Sequence, residues 1–274
     1  ERGFQSFSED HHKNKWMETT TTSMAKDTAI KPRRHDWAGW NDCLADHAIY
    51  AKNCTAIIDG YVGRNRLPAD TIETIMLTVN GVVACPFCTA LHVDLGRMAG
   101  LECGAQLNSA ESDAVAVALV SEANDKKHAA TFGRVFAHLN GRGAQVDAAY
   151  ETLVEAVGAS KAATMRSLCW FILWGGVTGN TILAAIGKYK KRPESWRLTF
   201  GIPFTMWYAV LFFFVIGATS LFLKIFPGKV PGVLSQMLGC VLWFLASIHF
   251  VPLGLVGLLT CRKHASESAE VVAA

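Results

Sequence analysis

The stretch Leu67–Gly100, LPADTIETIMLTVNGVVACPFCTALHVDLGRMAG, decides how the chain is read. It carries Glu73, Cys85, Cys88 and His92 in the pattern Glu-x11-Cys-x-x-Cys-x3-His. Ile72, Ile75, Met76 and Val79 recur at helical spacing, which places Glu73 on a helix. Pro86 suits the first position of a second helix, where its missing N–H goes unused. Cys88 then falls in the first turn, where unpaired N–H groups and the positive end of the helix dipole favour a thiolate over a thiol. His92 lies one turn further on the same face and exchanges a proton near neutral pH. A Glu73 carboxylate held against that imidazole would orient it and set its basicity. The pattern points to dithiol redox chemistry.

Leu67–Gly100 resembles the core of the carboxymuconolactone decarboxylase and alkyl hydroperoxidase D (AhpD) superfamily. The leading Leu-Pro, the Glu, the spacing to the first Cys, the His and the following Ala-Gly carry the likeness, which extends more loosely over residues 36–187. It implies an all-α, AhpD-like helical domain. It further implies that Cys88 attacks a peroxide or disulfide, that Cys85 closes the Cys85/Cys88 disulfide, and that Glu73 and His92 relay protons. No cofactor is required; the reducing equivalents come from a partner dithiol. Some hydroperoxidase members carry a second His between the cysteines, where this chain has Phe87. Relatives assemble as trimers or hexamers.

Other readings of Cys-Pro-Phe-Cys stay open at this point. A thioredoxin-type fold, with Val79, Val82 and Val83 in a strand, needs a later proline facing the disulfide, and the next proline after Pro86 is Pro193. Zinc would find three ligands in Cys85, Cys88 and His92, with Cys103 as a fourth. Two buried cysteines and a core histidine are the bland alternative. A domain that keeps these residues without turning over is a further one.

The chain of 274 residues holds one sizeable core plus a membrane segment. Its net charge of +3 is small, and basic residues are not interleaved with aromatics, so nucleic-acid binding is set aside. Of the eight cysteines only Cys85 and Cys88 lie close in sequence, which suits a reducing compartment better than a disulfide scaffold. The first residue is Glu1, which suggests a removed targeting peptide or a missing leader.

Residues 1–35 are polar and without period, an extended N-terminal arm with His11, His12 and a lone Trp16. From Asp36 the pattern is helical. Trp37, Trp40, Leu44, Ala48 and Ala51 line one face of a helix ending near Gly60, and Gly100 stops the cysteine helix. Asn108 and Glu111 suggest a capped helix with a buried Val115–Val120 run. Phe132 to Leu139 and Val146 to Val157 mark two more helices. Ser167–Gly187 carries no charge and is long enough to span a bilayer. Its glycines and Asn180 favour a domain or interface helix instead.

After a basic linker at 188–197, Leu198–Leu223 and Val230–Cys261 lack charged residues. A Pro- and Gly-rich turn at Phe226–Gly232 separates them. The expectation for 198–261 is a two-helix transmembrane hairpin, with Trp207 and Tyr208 in the interfacial belt and His249 inside the second span. Gly254 and Gly257 permit close helix contact, and residues 262–274 are expected to be a disordered tail. Basic residues flank the outer ends of the hairpin, so both termini should face the positive side, which is cytoplasm, matrix or stroma, and the membrane expected is that of an organelle, such as the thylakoid or inner mitochondrial membrane.

The leading functional expectation is a membrane-tethered thiol oxidoreductase that reduces hydroperoxides or exchanges disulfides with a redox partner protein. The alternative is an accessory subunit of a large photosynthetic or respiratory membrane complex, in which the AhpD-like domain is structural or regulatory.

Overall fold

The computed structural model describes residues 35–101, 124–189, 191–226 and 230–273. The arm at 1–34, the Asn108–Val120 helix, Cys103 and the His249 side chain lie outside what is described. Every regular element among the described residues is helical. They are α1 (Trp40–Val62), α2 (Ala69–Val83), α3 (Pro86–Ala99), α4 (Asn124–His138), α5 (Ala144–Val157), α6 (Ala159–Ala185), α7 (Ile202–Ile225) and α8 (Gly232–Ala273). A single helical turn and a π turn at Glu194–Gly201 lead into α7.

Local chemistry sets the boundaries. α2 ends at Ala84, whose left-handed backbone (φ 55°) directs its N–H to the Asn80 carbonyl. α3 stops at Gly100 (φ 86°), where the Gly100 and Leu101 N–H groups bond back to Arg97 and Gly96. Glycine takes that conformation without a Cβ clash.

The core forms around α6. Its apolar window is 83% buried within the protein, and the exposed Ile186 and Gly187 lie just past its end. α6 begins earlier than the sequence suggests, at Ala159, directly after Gly158 (φ 85°). Met165, Leu168, Cys169 and Ile172 meet Ile72, Ile75, Met76 and Val79 of α2 in one cluster with Phe132 and Phe136 of α4. The apolar residues read from the sequence are in the core, but α2 is buried on every side from Thr71 to Asn80.

Among the described residues, two helices are long and apolar enough to cross a bilayer: α6 and the run Glu194–Thr219. The bent pair Gly232–Leu245 and Phe250–Thr260 adds a third if counted as one span. The two halves of α8 meet at 53° just before Pro252. Proline has no N–H for the Ile248 carbonyl, and its ring crowds that turn.

α7 and α8 meet each other, and each also packs against the rest of the protein. α8 packs most extensively on α1, and α7 touches α6 as much as it touches α8. A Cβ on Gly254 would stand 2.7 Å from the His47 carbonyl oxygen and 2.8 Å from the Ala51 Cβ. The glycines thus bring α8 against the α1 backbone rather than against α7. Tyr50 and Ser247 hydrogen-bond at 2.7 Å, and the Gln236 Nε2 donates to the Leu67 carbonyl at 2.6 Å. Tyr208 is buried at 1% exposure in an aromatic cluster with Trp174, Phe204 and Phe250, while Trp207 is exposed. Tyr208 therefore faces protein, not the interfacial belt. The expected tail at 262–274 continues α8 as helix through Ala273.

Candidate functional site

The site is built where α2 hands over to α3. Ala84 and Cys85 alone connect the two helices, so α3 turns back along α2. Cys85 is the N-cap of α3, and its Sγ accepts the Cys88 N–H at 3.4 Å. Pro86 occupies the first helical position, as its chemistry suits. Cys85 and Cys88 approach to 3.1 Å and are not joined by a disulfide.

One turn later, His92 reaches α2. Its Nδ1 lies 2.8 Å from the Glu73 Oε2, with both side chains about one-tenth exposed. Glu73 accepts, so Nδ1 carries the proton and Nε2 is left as the basic nitrogen. All four residues are buried. The structure thus pairs Glu73 with His92 across α2 and α3, and Cys85 with Cys88 at the tip of α3.

The sulfur electrostatics run against the sequence expectation. Cys88 is pushed well above the ordinary thiol range, first by its hydrogen bond with Cys85, then by burial and by charge on Cys85. Its own backbone N–H pulls the other way and does not win. A helix tip acidifies a thiol that water can also reach. Here desolvation and a neighbouring sulfur dominate.

Three residues not assigned to the site from sequence shape it. Asn80 is buried on α2, and its Nδ2 donates to the Thr89 Oγ1 at 2.5 Å and to the Cys85 carbonyl at 3.3 Å. Thr89 donates to that carbonyl through Oγ1 at 3.0 Å and through its N–H at 2.9 Å. Asn180 on α6 donates to the Val83 carbonyl at 2.9 Å. The signal for Asn80 was an amide inside the apolar run Leu77–Val83.

Among the described residues, no group of three or more His, Cys, Asp or Glu side chains is arranged to hold a metal. An open groove along α1 between Thr55 and Gly63 contains none of the four candidate residues. No protein-family model, curated protein or solved structure matches the chain.

Proposed function

We propose that the chain is a membrane-attached dithiol oxidoreductase of AhpD type, acting through Cys85 and Cys88. The observation that carries this reading is the Glu73–His92 contact at 2.8 Å, one helical turn from a cysteine pair at a helix tip. A buried carboxylate–imidazole pair orients a proton acceptor, and that is what a thiol held in its protonated form needs at the moment of attack.

With a hydroperoxide as substrate, the Cys88 Sγ attacks the distal peroxide oxygen and breaks the O–O bond. The thiol proton passes through His92 to the departing alkoxide, leaving an alcohol and a Cys88 sulfenic acid. The Cys85 Sγ then attacks the Cys88 sulfur and expels water, forming the disulfide. A partner dithiol returns two electrons and two protons by exchange. The apolar helices α7 and α8 hold this chemistry at an organelle membrane as two spans, with both termini on its positive side.

A second reading is favoured by a separate observation. α7 and α8 expose large apolar side chains on the face turned from the domain, among them Met206, Val210, Phe213, Val241, Phe244 and Leu259. Such a face suits lipid or other membrane subunits. With both sulfurs buried, it supports an accessory subunit of a larger photosynthetic or respiratory complex whose dithiol is structural or regulatory.

Thiol-dependent peroxide loss by the purified protein separates the two. Activity that disappears in Cys88→Ser supports the enzyme. Intact protein without activity, co-purifying with membrane subunits in mild detergent, supports the accessory role.

A further inference from the structure

We infer that Asn80 and Thr89 are positioning residues that hold Cys85 ready to pair with Cys88 and so set the equilibrium of the dithiol. This deepens the dithiol reading and rests on it.

The Cys85 carbonyl receives three donors: the Thr89 N–H, the Thr89 hydroxyl and the Asn80 amide. The amide orientation is fixed by the network. The Thr89 proton is committed to the Cys85 carbonyl, so the Thr89 oxygen accepts and Asn80 must offer its N–H. Upstream, the Ala84 N–H bonds to the Asn80 carbonyl at 2.7 Å, and Asn180 holds the Val83 carbonyl from α6. Gly176 gives Val83 its room, because a Cβ there would stand 2.7 Å from the Val83 Cγ1. Consecutive residues Val83, Ala84 and Cys85 are therefore tied to α2, α3 and α6.

This arrangement costs something to build. The Oδ1 atoms of Asn80 and Asn180 are buried without a hydrogen-bond partner among the described residues. An apolar turn would avoid that cost. What the two amides provide is a cysteine with little freedom to leave its partner. Ring closure in a dithiol is an intramolecular reaction, and its equilibrium follows how well the two sulfurs are pre-positioned. Without the clamp, Cys85 must be ordered when the disulfide forms, so the oxidised state becomes harder to reach.

The test equilibrates the full chain in detergent with glutathione buffers. The two thiols and one oxidised glutathione give the intramolecular disulfide and two reduced glutathiones. Cys85 and Cys88 share the tryptic peptide Leu67–Arg97, which contains no other cysteine, so mass spectrometry reads the pair directly as the loss of two hydrogens. Thr89→Val keeps the side-chain shape, and Asn80→Ala removes the amide. Each is expected to lower the equilibrium constant about tenfold, a potential about 30 mV less negative. Asn53→Ala, which removes an amide that accepts from Ser167 elsewhere in the fold, is expected to leave it unchanged. A Thr89→Val chain that folds with the wild-type constant overturns the inference, as does an equal shift in Asn53→Ala. A wild-type peptide that never loses its two hydrogens overturns the dithiol reading itself and this inference with it.

Discussion

The His47 Nε2 accepts a hydrogen bond from the Tyr208 hydroxyl at 2.5 Å, joining α1 to the apolar helix α7 inside the protein. The His47 Nδ1 donates to the Cys43 carbonyl at 2.5 Å, which fixes the neutral tautomer. Trp174 adds a second donor to Nε2 at 3.3 Å. The imidazole is fully buried, so any charge on it would be stranded among Trp37, Trp174 and Phe250.

That burial makes stability depend on pH. Burial holds the His47 pKa down to about 4 from an ordinary 6.5, with the Cys43 carbonyl opposing the shift. The unfolded chain therefore binds the proton first. The stabilisation is complete above pH 6.5 and is lost as pH falls toward 4, by about 3 kcal/mol in all. Unfolding in detergent at pH 7.5 and 4.5 measures it. His47→Gln keeps an acceptor for Tyr208 but does not titrate, so its slope should be flatter. An unchanged slope places the acid sensitivity elsewhere.

Cys88 is expected to alkylate slowly at neutral pH, with a rate that climbs only in strongly alkaline buffer. The largest cause of its raised pKa is Cys85, so Cys85→Ala should move the midpoint of the rate profile down. Burial remains and keeps it above an exposed thiol. Iodoacetamide kinetics followed on the Leu67–Arg97 peptide give the profile. A wild-type Cys88 that reacts rapidly at pH 7 contradicts the buried, proton-retaining pair.

The contact between α8 and α1 has its own test. Gly257 faces the Leu44 carbonyl and the Ala48 Cβ, with no room for a side chain. Gly257→Leu must part the helices or shift a turn, at a cost of about 1–3 kcal/mol. Gly217 on α7 has nothing within 4 Å of an added Cβ, so Gly217→Leu serves as the neutral control. Thermal unfolding in detergent should separate the two. Equal melting points would mean that α8 does not rest on α1.

The helices were legible because their apolar residues repeat at helical spacing over long runs. Ile72, Ile75, Met76 and Val79 state that α2 is a helix, though not that it is buried on every side from Thr71 to Asn80, and Gly100 states the end of α3. The partners of α7 and α8 were not legible. A run without charges reads the same whether its face meets lipid or protein. Nothing local in Tyr208 or Ser247 names His47 or Tyr50 across more than 150 residues of chain. In the site, the cysteine cap and the Glu73–His92 pair followed from spacing along adjacent helices. The raised Cys88 thiol did not: its largest cause is the hydrogen bond with Cys85, and the burial that adds to it depends on tertiary packing. A sequence displays the helix tip but not the sulfur contact and burial that together outweigh it.

The Glu73–His92 pair separates structure from chemistry through two substitutions. In Glu73→Gln the amide oxygen still accepts the His92 Nδ1–H, so the fold should lose about 1 kcal/mol or less. In Glu73→Ala that N–H is left buried without its acceptor, at about 1–3 kcal/mol. Both remove the carboxylate that holds the imidazole in place. If His92 takes the Cys88 proton during attack, both variants should oxidise about a hundredfold more slowly in a single turnover with peroxide. Thermal melts give the first quantity, and stopped-flow loss of thiols gives the second. A Glu73→Gln protein that melts near wild type and oxidises at the wild-type rate would remove the pair from the chemistry. Its contact at 2.8 Å would then be a means of holding α2 against α3.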